Sequence, residues 1–116
     1  MNAIELYYAG REQLDNAFYA EALPLFEESL KLQPHFKTYE CAYRCYSALN
    51  QPEKAFESIS AAFALNGKQD KVALQYAKAL VNYKQDTASA REVLVGILNR
   101  NPSYKAAKVM LNELGG

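Results

Sequence analysis

Apolar residues recur along this chain at helical spacing, and the same pattern appears three times. A small residue (Ala22, Ala55 or Ala90) is followed four positions later by Phe26, Ile59 or Leu94, and eight positions later by Leu30, Phe63 or Leu98. Steps of four and eight keep one helical face apolar, whereas a half-buried strand alternates every second residue. The three segments also close alike: SLKLQP at Ser29–Pro34, AFALNG at Ala62–Gly67 and ILNRNP at Ile97–Pro102. Their closing positions 34, 67 and 102 lie 33 and 35 residues apart. A mean period of about 34 residues is that of stacked helix–turn–helix units. The pattern predicts a first helix of each pair near 3–15, 36–49 and 69–83, and a second near 19–32, 53–65 and 87–99. A seventh helix near 103–114 carries Ala107, Met110, Leu111 and Leu114 on one side and Lys105, Lys108, Asn112 and Glu113 on the other. It ends at Leu114-Gly115-Gly116, a C-terminal stop, and suits a cap whose apolar face covers the last repeat.

Several positions set local expectations. The recurring Ala lets the two helices of a pair approach closely, and a larger side chain there would overpack the contact. Gly10 lies mid-helix, where glycine costs about 1 kcal/mol against Ala. Tyr43 stands at the same place in the second repeat. Pro24 falls past the first turn of its helix, so a bend or a late helix start is expected there. The third repeat carries one extra residue, expected in its internal turn around Tyr83–Asp86.

Taken together these residues resemble the tetratricopeptide repeat family. The second repeat carries the likeness best, in the run Tyr43-Arg44-Cys45-Tyr46-Ser47-Ala48-Leu49-Asn50-Gln51-Pro52-Glu53-Lys54-Ala55-Phe56. The first is close, from Asn16 to Leu23 and again at Leu32-Gln33-Pro34. The resemblance covers residues 3 to 102 and implies an all-α, right-handed superhelical solenoid of three antiparallel helix pairs plus a capping helix. One domain, 1–116, is expected, with repeats at about 3–35, 36–69 and 70–102 and the cap at about 103–114. In the family the first helices line a concave groove in which partners lie. Carried over by register, that groove exposes Tyr7, Arg11, Lys37, Glu40, Arg44, Lys71, Gln75 and Lys78, with Ile4, Leu74 and Val81 as apolar ground. Bases outnumber acids there five to one, which implies an acidic peptide or protein segment with apolar anchors. One use of such grooves, gripping the C-terminal carboxylate of heat-shock chaperones, needs a Lys, two Asn, a Lys and an Arg. The matching positions are Tyr7, Arg11, Cys41, Lys71 and Gln75, and only Lys71 agrees.

Length and composition narrow the alternatives. The chain has 116 residues, half of them hydrophobic, which suits one domain with a sizeable core. Formal net charge is zero, so the basic excess that nucleic-acid binding requires is missing. The charge is unevenly placed. Residues 1–58 carry nine acids and five bases, and residues 59–116 carry four acids and eight bases, so the halves are −4 and +4. Head-to-tail self-association into a dimer or longer stack is therefore one alternative function. A regulatory fragment of a larger protein is another. No apolar run approaches the ~18 residues a membrane span needs, and the N-terminus lacks the apolar block of a secretion signal, so a cytoplasmic location without membrane contact is expected.

Catalytic chemistry finds little support. The single histidine, His35, follows a repeat-ending proline, and neither a nucleophile–base pair nor a glycine-rich phosphate loop is visible. Cys41 and Cys45 face one side of a helix, but a structural zinc site wants four ligands and there is no second cysteine pair. Cys45 is expected on the packing side as a small hydrophobe. The reading is thus a binding module, not an enzyme, with no cofactor. Of the adjacent pair Tyr7 and Tyr8, one must point toward the groove or solvent, because neighbouring residues on a helix cannot share one core.

Overall fold

The computed structural model describes residues 1–115. Among them lie seven α-helices and no strand: α1 (Ala3–Asp15), α2 (Tyr19–Leu32), α3 (Phe36–Ala48), α4 (Pro52–Leu65), α5 (Asp70–Lys84), α6 (Thr87–Arg100) and α7 (Lys105–Glu113). Each helix packs on its neighbours in the chain, and α1 also touches α3, so the pairs stack into a superhelical solenoid with a long axis of 45 Å.

Sequence-local signals fix the helix starts. Asn2 accepts from the Glu5 amide at 2.8 Å while Glu5 accepts from the Asn2 amide at 2.9 Å, a reciprocal capping box. His35 Nδ1 accepts from the Lys37 amide at 3.1 Å and so caps α3, stacked on the ring of Phe36. Pro52 opens α4, where its missing N–H costs nothing, and Asp86 caps α6 through the Ser89 amide. The turns within the pairs share another device. Ala17, Asn50 and Gln85 all take left-handed backbone, with φ of 60°, 58° and 50°. In the first two turns the following amide reaches back to close the helix, Phe18 to the Gln13 carbonyl and Gln51 to that of Tyr46, both at 2.9 Å.

The small positions form the contact surfaces. Ala22, Ala55 and Ala90 are all 0 % exposed, as are Phe26, Ile59 and Leu94 four residues on. The third line of contact differs from the sequence expectation. Ser29, Ala62 and Ile97, seven after the Ala, are buried, whereas Leu30, Phe63 and Leu98, eight after it, are half-buried. Seven residues return a helix to within about 20° of its starting direction, and eight overshoot to the flank. Gly10 is buried against α2, and a Cβ there would sit 2.7 Å from Cε1 of Phe26. In the second repeat Tyr43 takes that place and lies half-buried against the cluster that holds the smaller Ile59.

At Pro24 the late helix start is excluded, and the place of the third repeat's extra residue is corrected. Helix α2 starts at Tyr19 and runs through Pro24 without a late start. The ring removes one amide donor, and the carbonyl it would have served belongs to exposed Ala20, which water can reach. The extra residue of the third repeat is taken up by the helix, not by the turn. α5 has 15 residues against 13 in α1 and α3, and only Gln85 and Asp86 separate it from α6. The chain then closes one step wider, from the Asp86 amide to the Leu80 carbonyl at 2.9 Å.

Candidate functional site

The first helices α1, α3 and α5 stand side by side, and their register brings the expected groove residues together. Tyr7, Arg11, Lys37, Glu40 and Lys71, drawn from all three helices, line one cleft of about 170 Å³. Tyr7, Arg11 and Lys37 also border an adjoining cleft of about 440 Å³ whose walls include Ile4, Tyr8 and His35. Arg44 and Gln75 join through Glu40. Leu74 is only 9 % exposed and belongs to the packed core, so it offers the groove little surface. Lys78 lies farther along, in a separate cleft between α5 and α7 that also contains Val81.

Glu40 organises the centre. Its carboxylate is nearly buried and sits 3.7 Å from Lys71 Nζ and 3.9 Å from Arg44 Nε, while Gln75 Nε2 donates to it at 3.4 Å. These contacts tie α3 to α5, because a carboxylate taken out of water needs partners. They also change the charge picture. Arg44 and Lys71 already face an anion, and Arg11 lies 3.9 Å from Asp15. Lys37 and Lys78 make no ion pair among the described residues. The five-to-one excess of cations therefore reduces to charge available mainly at the two ends of the face.

Tyr7 and Tyr8 divide as adjacent helical residues must. The Tyr7 ring packs 6.2 Å from that of Phe26, and its hydroxyl accepts from Arg11 Nη1 at 3.0 Å. Burial raises the Tyr7 pKa above its usual 10.0, and the hydrogen bond to Tyr7 is the main cause that raises that of Arg11. Tyr8 is 66 % exposed and, with Ile4 at 64 %, forms an apolar lip to the larger cleft. Sequence reasoning sent one of Tyr7 and Tyr8 toward the groove or solvent without deciding which, and did not place His35 beside it. The adjacency of Tyr8 to Tyr7 and that of His35 to Lys37 were the signals available.

Both thiols lie in the interior. Cys41 and Cys45 are 1 % and 0 % exposed, and burial pushes both thiols up to about 11 from 9.0. They are packed as small hydrophobes in the same cluster as Ala22 and Phe26. His35 is engaged as a helix cap.

No family model matches the sequence, and no curated protein matches it. Solved structures do. The first tetratricopeptide domain of Spaghetti (RPAP3), bound to an HSP90 peptide, superposes with a TM-score of 0.85 at 19 % identity over 98 % of this chain and 90 % of that one. The second such domain of human RPAP3, in complex with an HSP70 peptide, gives 0.83 at 16 % identity over 98 % and 95 %. The type III secretion chaperone SycD of Yersinia enterocolitica, in complex with a peptide of the translocator YopD, gives 0.82 at 18 % over 96 % and 90 %. At these identities the likeness is one of fold, and the chain has the tetratricopeptide-repeat fold.

Proposed function

We propose that this protein is an interaction module that binds an extended peptide segment along the face formed by α1, α3 and α5. The observation that carries this reading is the shared cleft: five side chains from three helices converge on one surface that continues into a larger, partly apolar hollow. Such a surface provides apolar anchorage from Ile4, Tyr7 and Tyr8 and orientation from charge, the usual division of labour at interfaces. Neighbours of this fold were solved with peptides, which supports a peptide as the ligand class. The occupant is an acidic segment with apolar anchors rather than a chaperone tail held by a carboxylate clamp. At the clamp positions Tyr7 and Arg11 bond each other, Cys41 is buried, and Lys71 faces Glu40. Binding, rather than chemistry, is the role that suits a face whose nearest thiol is buried and whose neighbouring histidine is engaged as a cap.

Panning a random 12-residue peptide library against the protein tests this. The expected consensus is acidic with aliphatic or aromatic positions. Lys37→Glu should weaken the selected peptides and flatten the salt dependence of their association, since the Debye length is about 8 Å at physiological salt. Tyr7→Ala should speed dissociation with little change in the salt slope. Basic peptides, or peptides whose binding ignores both substitutions, would overturn the reading.

A further inference from the structure

The cleft between α5 and α7, about 680 Å³, is larger than either hollow beside α1 and α3, and of the expected groove residues Lys78 and Val81 line it. Val81 of α5 and Val109, Met110 and Leu114 of α7 give it apolar walls. Val109 is an apolar side chain 45 % exposed on a helix of nine residues. Lys78 and Lys105 stand in the same wall and make no ion pair among the described residues. Glu113 is the one acid lining this cleft.

Register places this cleft on the proposed binding face. Lys78 follows Arg44 by 34 residues, and Arg44 follows Arg11 by 33, so the three occupy one position of successive repeats. Between the α1–α3 hollow and this one lies the polar centre, where Glu40 already holds Arg44 and Lys71. The face therefore has two apolar hollows with unpaired cations beside them, Lys37 at one end and Lys78 with Lys105 at the other, and a middle where Arg44 and Lys71 already face Glu40. The long axis is 45 Å, and an extended chain covers about 3.4 Å per residue, so a segment of at most about 13 residues spans both ends.

We propose that the α5–α7 cleft is a second anchoring site on this face. It takes an aliphatic side chain of the bound segment in the pocket of Val81, Val109 and Met110, with an adjacent carboxylate of that segment on Lys78 and Lys105. This rests on the peptide-binding reading above and adds α7 to the binding surface. Two consequences define the ligand. It carries two apolar residues spaced to reach both hollows, and an acid beside each of them.

The peptides enriched from the random 12-residue library provide the test, as fluorescein-labelled copies in anisotropy titrations against the full chain. Val109→Asp should weaken them about tenfold or more, as loss of a buried anchor does, and Val109→Leu should not. Lys78→Glu combined with Lys105→Glu gives an independent arm with surface changes only. If Tyr7→Ala and Lys37→Glu abolish binding while the Val109 and double-lysine variants leave it unchanged, the groove stands and the second site is overturned. If none of these substitutions matters, or no peptide is enriched, both readings are overturned. If Val109→Asp instead lowers the sedimentation coefficient of the protein alone, the cleft seats a second copy and the peptide assignment is wrong.

Discussion

Gly10 faces the fully buried ring of Phe26, and a Cβ at that position would lie 2.7 Å from it. Ala there would gain about 1 kcal/mol of helix propensity and lose about 1–3 kcal/mol to overpacking, because the ring has no room to move. Gly10→Ala should therefore lower the melting temperature, and Phe26→Leu should relieve it. The double variant is expected to be more stable than the sum of the single losses, by a coupling within the usual 0.5–3 kcal/mol for residues in contact; strict additivity in chemical denaturation would refute the contact. The buried thiols make a second prediction. Cys41 and Cys45 stay protonated in the folded chain up to about pH 11 but ionise from about 9 when unfolded. Their raised values mean that the unfolded state loses protons first, so their contribution is complete below pH 9 and disappears as pH rises through 11. Melting temperature should fall across that window, and replacing both cysteines by Ala should flatten the fall. Of the site residues, the Arg44–Glu40 pair was legible, being four apart on one helix. The Lys71–Glu40 contact was not, because sequence spacing reports which face a side chain occupies and not which neighbour on another helix it meets.

At the scale of elements, the stacking of α2, α4 and α6 on their partners depends on Ala22, Ala55 and Ala90, none of which reaches the surface. Ala55→Leu should cost about 1–3 kcal/mol by forcing α3 and α4 apart, whereas Ala20→Leu, on an exposed position of α2, should cost little. Equal denaturation midpoints for the two would contradict the packing. The helices themselves were legible because three cues coincided: the four-residue apolar step, the small Ala, and the closing Pro or Gly. The third repeat was harder to read. Its extra residue could lengthen either a turn or a helix; the turn keeps a left-handed residue, Gln85, as the first two do, but its closing bond runs one residue further, from the Asp86 amide to the Leu80 carbonyl. Left-handed backbone costs an L-residue other than Gly or Asn about 1 kcal/mol or more, and nothing in the composition of that turn announces it.

For the whole molecule, α7 covers the open end of the last pair. Ala107 is fully buried, Met110, Leu111 and Leu114 pack on the cluster of Leu94 and Ile97, and Arg91 of α6 donates to the Leu114 carbonyl. A chain ending at Pro102 should expose that cluster, melt earlier and self-associate, and sedimentation together with a thermal scan would show it; an equally stable monomer would refute the capping role. That α7 caps the stack was legible in its apolar stripe. That its flank and Val81 enclose a cleft was not, since this depends on the angle at which α7 crosses α5. Most contacts in the chain run between consecutive helices, with the touch of α1 on α3 and the side-chain bonds of Lys71 and Gln75 to Glu40 and of Tyr83 to Ser47 as cross-ties. A solenoid built this way resembles a row of hinged plates, each held by the next. A segment laid across α1, α3, α5 and α7 would bolt distant plates directly to one another. It would act as a splint, stiffening the row and making the curvature of the empty protein and that of its complex separate quantities.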